Sequence, residues 1–462
     1  MSDYSIRRYR QSLILGLIGV VKKLFPSEQL KITHSILDGV YCELDDSILS
    51  SREVAKIEED LKRWVDADQA ISYEKGPDRL YHCSFDSLEI KTIYPPLERA
   101  GSLKYFQLIH FPPGFILLFP NANHPETLAP FVPPEKLSAT FSETQRWLEN
   151  LHLAKVQDVN SIISADGSQD LICLAEALHE KKISSIADRI FEQRCNIRLI
   201  LISGPSSSGK TTFAQRLSTQ LRVNGLRPLA LSLDNYFLSR DETPLDANGQ
   251  YDFESLNALD LPLLAAHLNA LIRGENVETP IYDFVNGRRS PVGKSMHLSS
   301  DEILVIEGIH ALNPCLVPSL DRNQMFKIYV SALFELNIDN YNRVPTTEVR
   351  LIRRIVRDNQ FRGINPERTL GQWESVRRGE NNNIFPYQEE ADVMFNSSLL
   401  YELNALRPYA EQLLGSITPD CAYYKTATHL LTLLSFFSPL DVSTIPFTSI
   451  LREFLGGSTY NV

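Results

Sequence analysis

The sequence predicts an α/β fold, a doubly wound parallel sheet in the second half of the chain, preceded by an α+β domain. Three observations carry that expectation. From Ile197 onward short, nearly continuous apolar runs alternate with helical patterns, the texture of a parallel sheet covered on both faces. Before about residue 155 the texture differs, with amphipathic helical spacing followed by short strands broken by prolines and glycines. At the start of the second half a Gly-rich octapeptide, Gly204 to Thr211, sits between an apolar strand and a helix.

In order along the chain, residues 9–24 place Leu13, Leu17, Val20, Val21 and Leu24 at helical spacing and stop at Pro26. A strand is expected around Gly39 to Leu44. A second helix is expected from Ser50 to Val65, with Ser51 as its N-cap and Glu58, Glu59 and Asp60 on its wet face. Short strands follow between Gly76 and Pro134, including Phe115 to Phe119. Leu171 to Phe191 reads as a long helix. The expected parallel strands are Ile197 to Ile202, Leu229 to Leu233, Ile303 to Ile306 and Phe326 to Val330. The organisation is therefore read as an α+β domain over 1–155, a helical connector over 156–195, an α/β domain over 196–415 and a helical tail over 416–462.

With 462 residues the chain is long enough for two or three cores. A net charge of −11 disfavours nucleic acid as the main partner, because phosphate backbones need a concentrated basic surface. The six cysteines stand singly without a CxxC pair, which indicates neither a zinc site nor a disulfide framework, and reduced, mostly buried thiols are expected. No apolar run approaches the roughly 20 residues of a membrane span, and Arg7, Arg8 and Arg10 interrupt the N-terminal stretch. A cytoplasmic protein is expected.

Gly204-Pro205-Ser206-Ser207-Ser208-Gly209-Lys210-Thr211 fits GxxxxGK[ST] at every fixed position, and Thr212 continues it into a helix closed by Gly225. Glycines let the backbone curl so that successive N–H groups face phosphates at a helix N-terminus. Lys210 then reaches the β- and γ-phosphates of ATP, and the Thr211 hydroxyl ligates Mg²⁺. Asp234 and Glu307 stand just past two expected strands, where ligands of open parallel sheets bind. One is expected to serve the Mg²⁺ shell and the other to take a substrate proton; a helix cap and a solvated loop acid are the alternatives. Between Arg350 and Arg378 there are eight arginines and no lysine. Arg350, Arg353, Arg354 and Arg357 share one helical face, read as a phosphate-binding lid, as a solvated basic face paired with Asp358, Glu367 and Glu374, or as an RNA-binding face, which the net charge disfavours.

The stretch from about 197 to 400 resembles the uridine kinase and phosphoribulokinase family. The resemblance rests on GPSSSGKTT (204–212), LSLDNYF (231–237), YDFESLNALD (251–260), PIYDF (280–284), VIEGIH (305–310) and RLIRRIVRDNQFRG (350–363). It implies an ATP- and Mg²⁺-dependent kinase in which Asp234 is the general base on a sugar 5′-hydroxyl and Glu307 a magnesium-site acid. Phe253 and Glu254 would face the ribose, and Tyr282, Phe284 and Gln372 the base. Arg354, Arg357 and Arg362 would hold phosphate. Gly287 and Ile364 stand where the family places a histidine and an arginine.

Residues 8 to about 125 resemble the editing-type domain of threonyl-tRNA synthetase, through LFPSEQLKITHSILDGVYCELD (24–45) and IEEDLKRWV (57–65). That domain's HxxxH pair corresponds to Gln11 and Leu15, and no CxxxH follows, so its hydrolytic chemistry is expected to be absent and His34, His82 and His110 to be structural. The fused arrangement looks like a bacterial class of long uridine kinases. The expected reaction is phosphorylation of uridine or cytidine. A kinase for another small alcohol and an ATP-gated tRNA-binding protein are the alternatives. The family also makes a homo-oligomer the expected assembly.

Overall fold

The computed structural model describes residues 3–45, 47–121, 124–246, 249–284, 286–316 and 321–460. The chain forms two compact units. The first comprises Met1–Ser161, Glu335–Thr346 and Leu431–Ser438; the second comprises Ile162–Phe334, Thr347–Leu430 and Pro439–Val462.

The first unit is α+β. Helix α1 (Asp3–Leu24) is followed by strands β1 (Leu30–Ile36) and β2 (Gly39–Leu44), helix α2 (Ser51–Asp66), and strands β3 (Ser72–Lys75), β4 (Tyr81–Phe85) and β5 (Leu88–Thr92). Strands β6 (Gln107–Phe111) and β7 (Gly114–Leu118) and helix α3 (Glu135–Asn150) complete it. The strands make an antiparallel sheet ordered β1-β2-β7-β6 and a smaller one ordered β3-β4-β5. Val54, Ile57, Leu61, Trp64 and Val65 line the buried side of α2, in one core with Leu13, Leu17 and Val21 of α1. Gly16 permits that approach, since a Cβ there would stand 2.6 Å from the Trp64 ring. His34 is buried against Phe141, ring centroids 4.0 Å apart, while His82 binds Asp78 and His110 the Leu49 carbonyl.

The N-cap of α2 is Ser50, not Ser51. Ser50 Oγ accepts from the Glu53 N–H, and the Glu53 carboxylate accepts from the Ser50 N–H at 2.8 Å, a reciprocal capping box that Ser51, already helical, cannot make. Ser50→Ala should therefore destabilise the protein by about 0.5–2 kcal/mol. Ser51→Ala should change little, and equilibrium denaturation of the two variants measures the difference.

The second unit is α/β. Helix α4 (Val156–Ser164) begins in the first unit and ends in the second, where α5 (Ser168–Glu192) leads to β8 (Leu199–Ser203), α6 (Lys210–Val223), β9 (Arg227–Ser232) and α7 (Leu261–Ile272). Two small hairpin ladders follow, β10 (Val277–Thr279) with β13 (Lys294–Met296), and β11 (Tyr282–Asp283) with β12 (Arg288–Arg289). Then come β14 (Glu302–Glu307), β15 (Met325–Ser331), α8 (Thr346–Arg362), α9 (Pro366–Asn383), β16 (Val393–Asn396), α10 (Glu402–Gly415), α11 (Tyr424–Leu434) and α12 (Arg452–Leu455). The sheet is parallel throughout, ordered β16-β15-β8-β14-β9. β8 and β15 are buried along their whole length, which is why they read as continuous apolar runs. β16 is a fifth strand beyond the four expected.

The second unit gathers both α5 and the residues after Pro439 around this sheet. Arg216 of α6 is buried and pairs with Glu176 and Glu180 of α5 at 3.2 and 2.7 Å. The cysteines differ from expectation: all six are free thiols, but Cys42 and Cys83 alone are fully buried, while Cys173, Cys195 and Cys315 are exposed. Among the described residues no helix is long and apolar enough to cross a membrane.

Candidate functional site

β8 ends at Ser203, and the loop that follows turns through left-handed conformations at Ser207 (φ 59°) and Gly209 (φ 84°) before α6 begins at Lys210. Gly204 is obligatory, because any Cβ there would collide with the Val330 carbonyl of β15. Among the described residues the Ser207 and Ser208 hydroxyls, both buried, have no hydrogen-bond partner, an arrangement that a polyanionic ligand would satisfy. Lys210 Nζ donates to the Pro205 carbonyl at 3.1 Å, so its charge stays at the loop, and Lys210 and Thr211 remain half-exposed. Gly-rich curvature, orphaned hydroxyls and a lysine at a helix N-terminus fit a nucleotide's phosphates.

Two strand ends adjoin this loop. The parallel register sets Glu307 of β14 beside Ile202 of β8 on one side and Ser232 of β9 on the other. Ser232 Oγ donates to Glu307 Oε1 at 2.5 Å. Asp234 lies in the single 3-10 turn that follows β9. Burial, and then the nearby Asp234 charge, push Glu307 up to about 7 against the opposing pull of Ser232 and Lys210. Glu254 is likewise pushed up to about 7, by burial first and by Glu380 next, with Arg354 and Lys210 opposing; its Oε2 has no hydrogen-bond partner. Lys210, Asp234, Glu254 and Glu307 thus stand within electrostatic reach of one another. The donor set that Thr211, Asp234 and Glu307 offer consists of hard oxygens, as Mg²⁺ requires. Among the described residues no cluster of three or more His, Cys, Asp or Glu forms a cage.

The raised Glu307 value has a pH consequence. A carboxyl whose folded pKa exceeds its unfolded one stabilises the fold below the unfolded value, and that contribution is lost as pH rises through about 7. Burial lowers His34, His179 and His310, which act oppositely over part of the same window, so the wild-type profile alone is ambiguous. The comparison with Glu307→Gln is clean. In nucleotide-free protein the variant should match wild type near pH 5 and exceed it at pH 8 by ~1–3 kcal/mol, read from urea unfolding at both pH values.

Helix α8 shows why its arginines outnumber its lysines. Arg350 is buried and binds Glu380 of α9 through both guanidinium ends, the second at 2.7 Å; it also donates to the Ser206 carbonyl at 3.0 Å. Glu380 in turn accepts from the Ser206 N–H at 3.0 Å, and although burial opposes its charge, Arg350 holds its carboxyl below the usual range. Arg353 is equally buried, paired with Glu402 and donating to the Ser397 carbonyl at 3.0 Å. None of the readings of this face holds for Arg350 and Arg353, which are buried in ion pairs, not solvated and not free for a ligand's phosphate; they donate to the Ser206 and Ser207 carbonyls of the Gly-rich loop. Arg354 donates to Ser206 Oγ at 2.8 Å, and Arg354, Arg357 and Arg362 ring the buried carboxylate of Asp358. Arg357, and burial after it, lower Arg362 to about 10, and Asp234 is among the charges that hold it up.

Of the residues expected to meet an acceptor, Tyr282 and Phe284 form an aromatic cluster with Phe237, with ring centroids 5.1 and 5.9 Å from that of Tyr282. The Arg362 guanidinium lies 5.0 Å from the Phe284 ring centroid, which brings the cluster to the arginine helix. The Tyr282 N–H is held by Asn235, the neighbour of Asp234, at 3.1 Å. Phe253 instead packs on Tyr251, and Gln372 is half-buried on α9. At Gly287 the space a side chain would take is filled by the Arg240 guanidinium, 2.7 Å from a Cβ built there. Sequence reasoning missed Glu380, Glu402, Glu453, Arg240 and His310. Glu453 binds Thr212, and His310 is buried beside the Ser255 backbone.

The family model described as "Phosphoribulokinase / Uridine kinase family" matches residues 199–399. A uridine kinase from Deinococcus deserti is 32% identical over 197 residues, which span 42% of this chain and 86% of that protein. One from Mycoplasma genitalium is 33% identical over 178 residues, 38% of this chain and 74% of its own. Among solved structures, a possible uridine kinase from Bacillus stearothermophilus aligns with 46% of this chain and 97% of its own at 19% identity and a TM-score of 0.31. With a relative above 30% identity matched over most of its length, and the loop, strand-end acids and arginine helix inside the matched region, the chain belongs to the phosphoribulokinase/uridine kinase family.

Proposed function

We propose that the chain phosphorylates the 5′-hydroxyl of a nucleoside, uridine or cytidine, with ATP and Mg²⁺. The convergence of Lys210, Asp234 and Glu307 beyond the ends of three adjacent strands carries the reading, and the relatives' activity supports it. The Gly204–Thr212 loop binds the phosphates of ATP, with Arg357 and Arg362 completing the charge around them. When bound, Mg²⁺ neutralises phosphate charge, and Thr211 and Glu307 are the residues that hold it. Asp234 accepts the proton of the attacking hydroxyl. Phe253 and Glu254 hold the sugar, Arg354, which reaches both Glu254 and the Gly-rich loop, holds the phosphate passing between loop and substrate, and Tyr282, Phe284 and Gln372 hold the base. Catalysis then rests on positioning and charge, as phosphoryl transfer requires.

In this reading 196–415 is the kinase and 1–155 an editing-like domain without hydrolytic residues, although the compact units depart from those limits by assigning Glu335–Thr346 and Leu431–Ser438 to the first unit. Segments 156–195 and 416–462 are proposed to support the kinase sheet, and the enzyme to work in the cytoplasm. A second reading has a specific observation behind it. The guanidinium of Arg240 above Gly287 makes that wall of the acceptor pocket cationic, which favours an alcohol that carries its own negative charge. ADP release with Mg²⁺ and ATP against uridine, cytidine, purine nucleosides and carboxylated or phosphorylated polyols separates the two. Saturable turnover with a pyrimidine nucleoside upholds the first reading, and turnover confined to anionic alcohols replaces it with the second.

A further inference from the structure

The C-terminal segment places a carboxylate on the phosphate cradle. Glu453, on the short helix α12, is buried, and its Oε2 accepts from the Thr212 N–H at 3.2 Å and from Thr212 Oγ1 at 2.9 Å. Thr212 is the third residue of α6, so its N–H belongs to the first turn, whose donors have no partner within the helix. In a Gly-rich loop of this kind those donors face the α- and β-phosphates.

A second carboxylate also touches the loop, and the contrast is instructive. Glu380 holds the Ser206 N–H but is neutralised by the two-ended Arg350 pair. Among the described residues no lysine or arginine is paired with Glu453. Its neighbour Arg452 is occupied by the carbonyls of Val442, Ile445 and Gly456. Glu453 therefore brings uncompensated negative charge to a surface shaped for anions, and that charge is one of those felt by Glu307. The segment is seated firmly enough to keep it there. Ile450 Cγ2 lies 2.5 Å from where a Gly209 Cβ would stand, Phe454 is buried under the Arg353 guanidinium at 5.0 Å, and Gln360 donates to the Leu455 carbonyl at 2.8 Å.

We propose that Glu453 competes with nucleotide phosphate for the Thr212 donors, so that the C-terminal segment is a built-in brake on nucleotide binding. The inference rests on the loop being a nucleotide cradle and is independent of the acceptor. One N–H serves one strong acceptor, and two anions at one donor repel each other, so bound nucleotide turns the Glu453 carboxylate away.

Titration calorimetry of full-length wild type and Glu453→Gln with Mg²⁺ and ADP tests it. The variant should bind about tenfold tighter, the size of one lost charged competitor. Equal or weaker binding would overturn the proposal and make Glu453 a cap that supports the loop. Hydrogen exchange of unmodified protein gives a readout free of any folding defect in the variant. Saturating ADP should speed exchange at residues 450–456 while slowing it in the loop, and slower exchange in both would count against the brake. If neither protein binds ADP, the cradle reading itself fails and the brake falls with it.

Discussion

Asp234→Asn is expected to lower kcat by about 10²–10⁴-fold while leaving the thermal melt unchanged. The substitution keeps size and hydrogen-bonding shape but removes the only group proposed to take the hydroxyl proton. Because that proton moves only during reaction, kcat and kcat/KM should fall together and the KM for ATP should hold. Were Asp234 merely the cap of the turn after β9, the pattern would invert, with stability lost by about 1 kcal/mol and turnover retained. Steady-state kinetics and melting of the same preparation tell the two apart.

The largest stability effect is expected from Arg350→Met. Its partner Glu380 would be left as an uncompensated carboxylate in a site closed to water, a loss of about 3–5 kcal/mol. Because Glu380 also holds the Ser206 N–H, the KM for ATP should rise as the loop loses its lower brace. The double change Arg350→Met with Glu380→Gln removes both charges and should recover much of the stability but not the ATP affinity, since the brace stays broken. Urea unfolding of the three variants measures the coupling. Simple additivity would mean that the pair acts as two independent groups.

How far each feature could be read in advance follows from where its cause lies. The phosphate loop was legible because its cause is local: a Cβ at Gly204 would collide with the Val330 carbonyl, and Gly209 combines a φ of 84° with Ile450 Cγ2 2.5 Å from where a Cβ would stand. Asp234 and Glu307 were legible by position, since acids just past parallel strands face the ligand side. Strand β1 was not seen, although its burial alternates strictly, because His34 takes an inward position where a pattern search expects an apolar residue. β16 was missed because four residues, two of them half-buried, give neither alternation nor a continuous run.

The arginine face of α8 was legible as spacing but not as burial. The residues that neutralise Arg350 and Arg353 lie 30 and 49 positions further on, beyond any local pattern. The same holds more strongly for Glu453, 241 positions from the Thr212 it binds, in a segment whose sequence carries no recognisable motif. Cysteine burial was overestimated because low cysteine content and compartment say nothing about individual exposure.

The most direct measurement is the fate of the ATP γ-phosphate when the full-length chain is incubated with Mg²⁺ and uridine, followed by ³¹P NMR. The signal should move to a phosphomonoester on the 5′-oxygen of uridine, at a rate that saturates with uridine and disappears in Lys210→Ala. Transfer only to water, or no loss of the γ signal with any alcohol present, would contradict a kinase built from Lys210, Asp234 and Glu307.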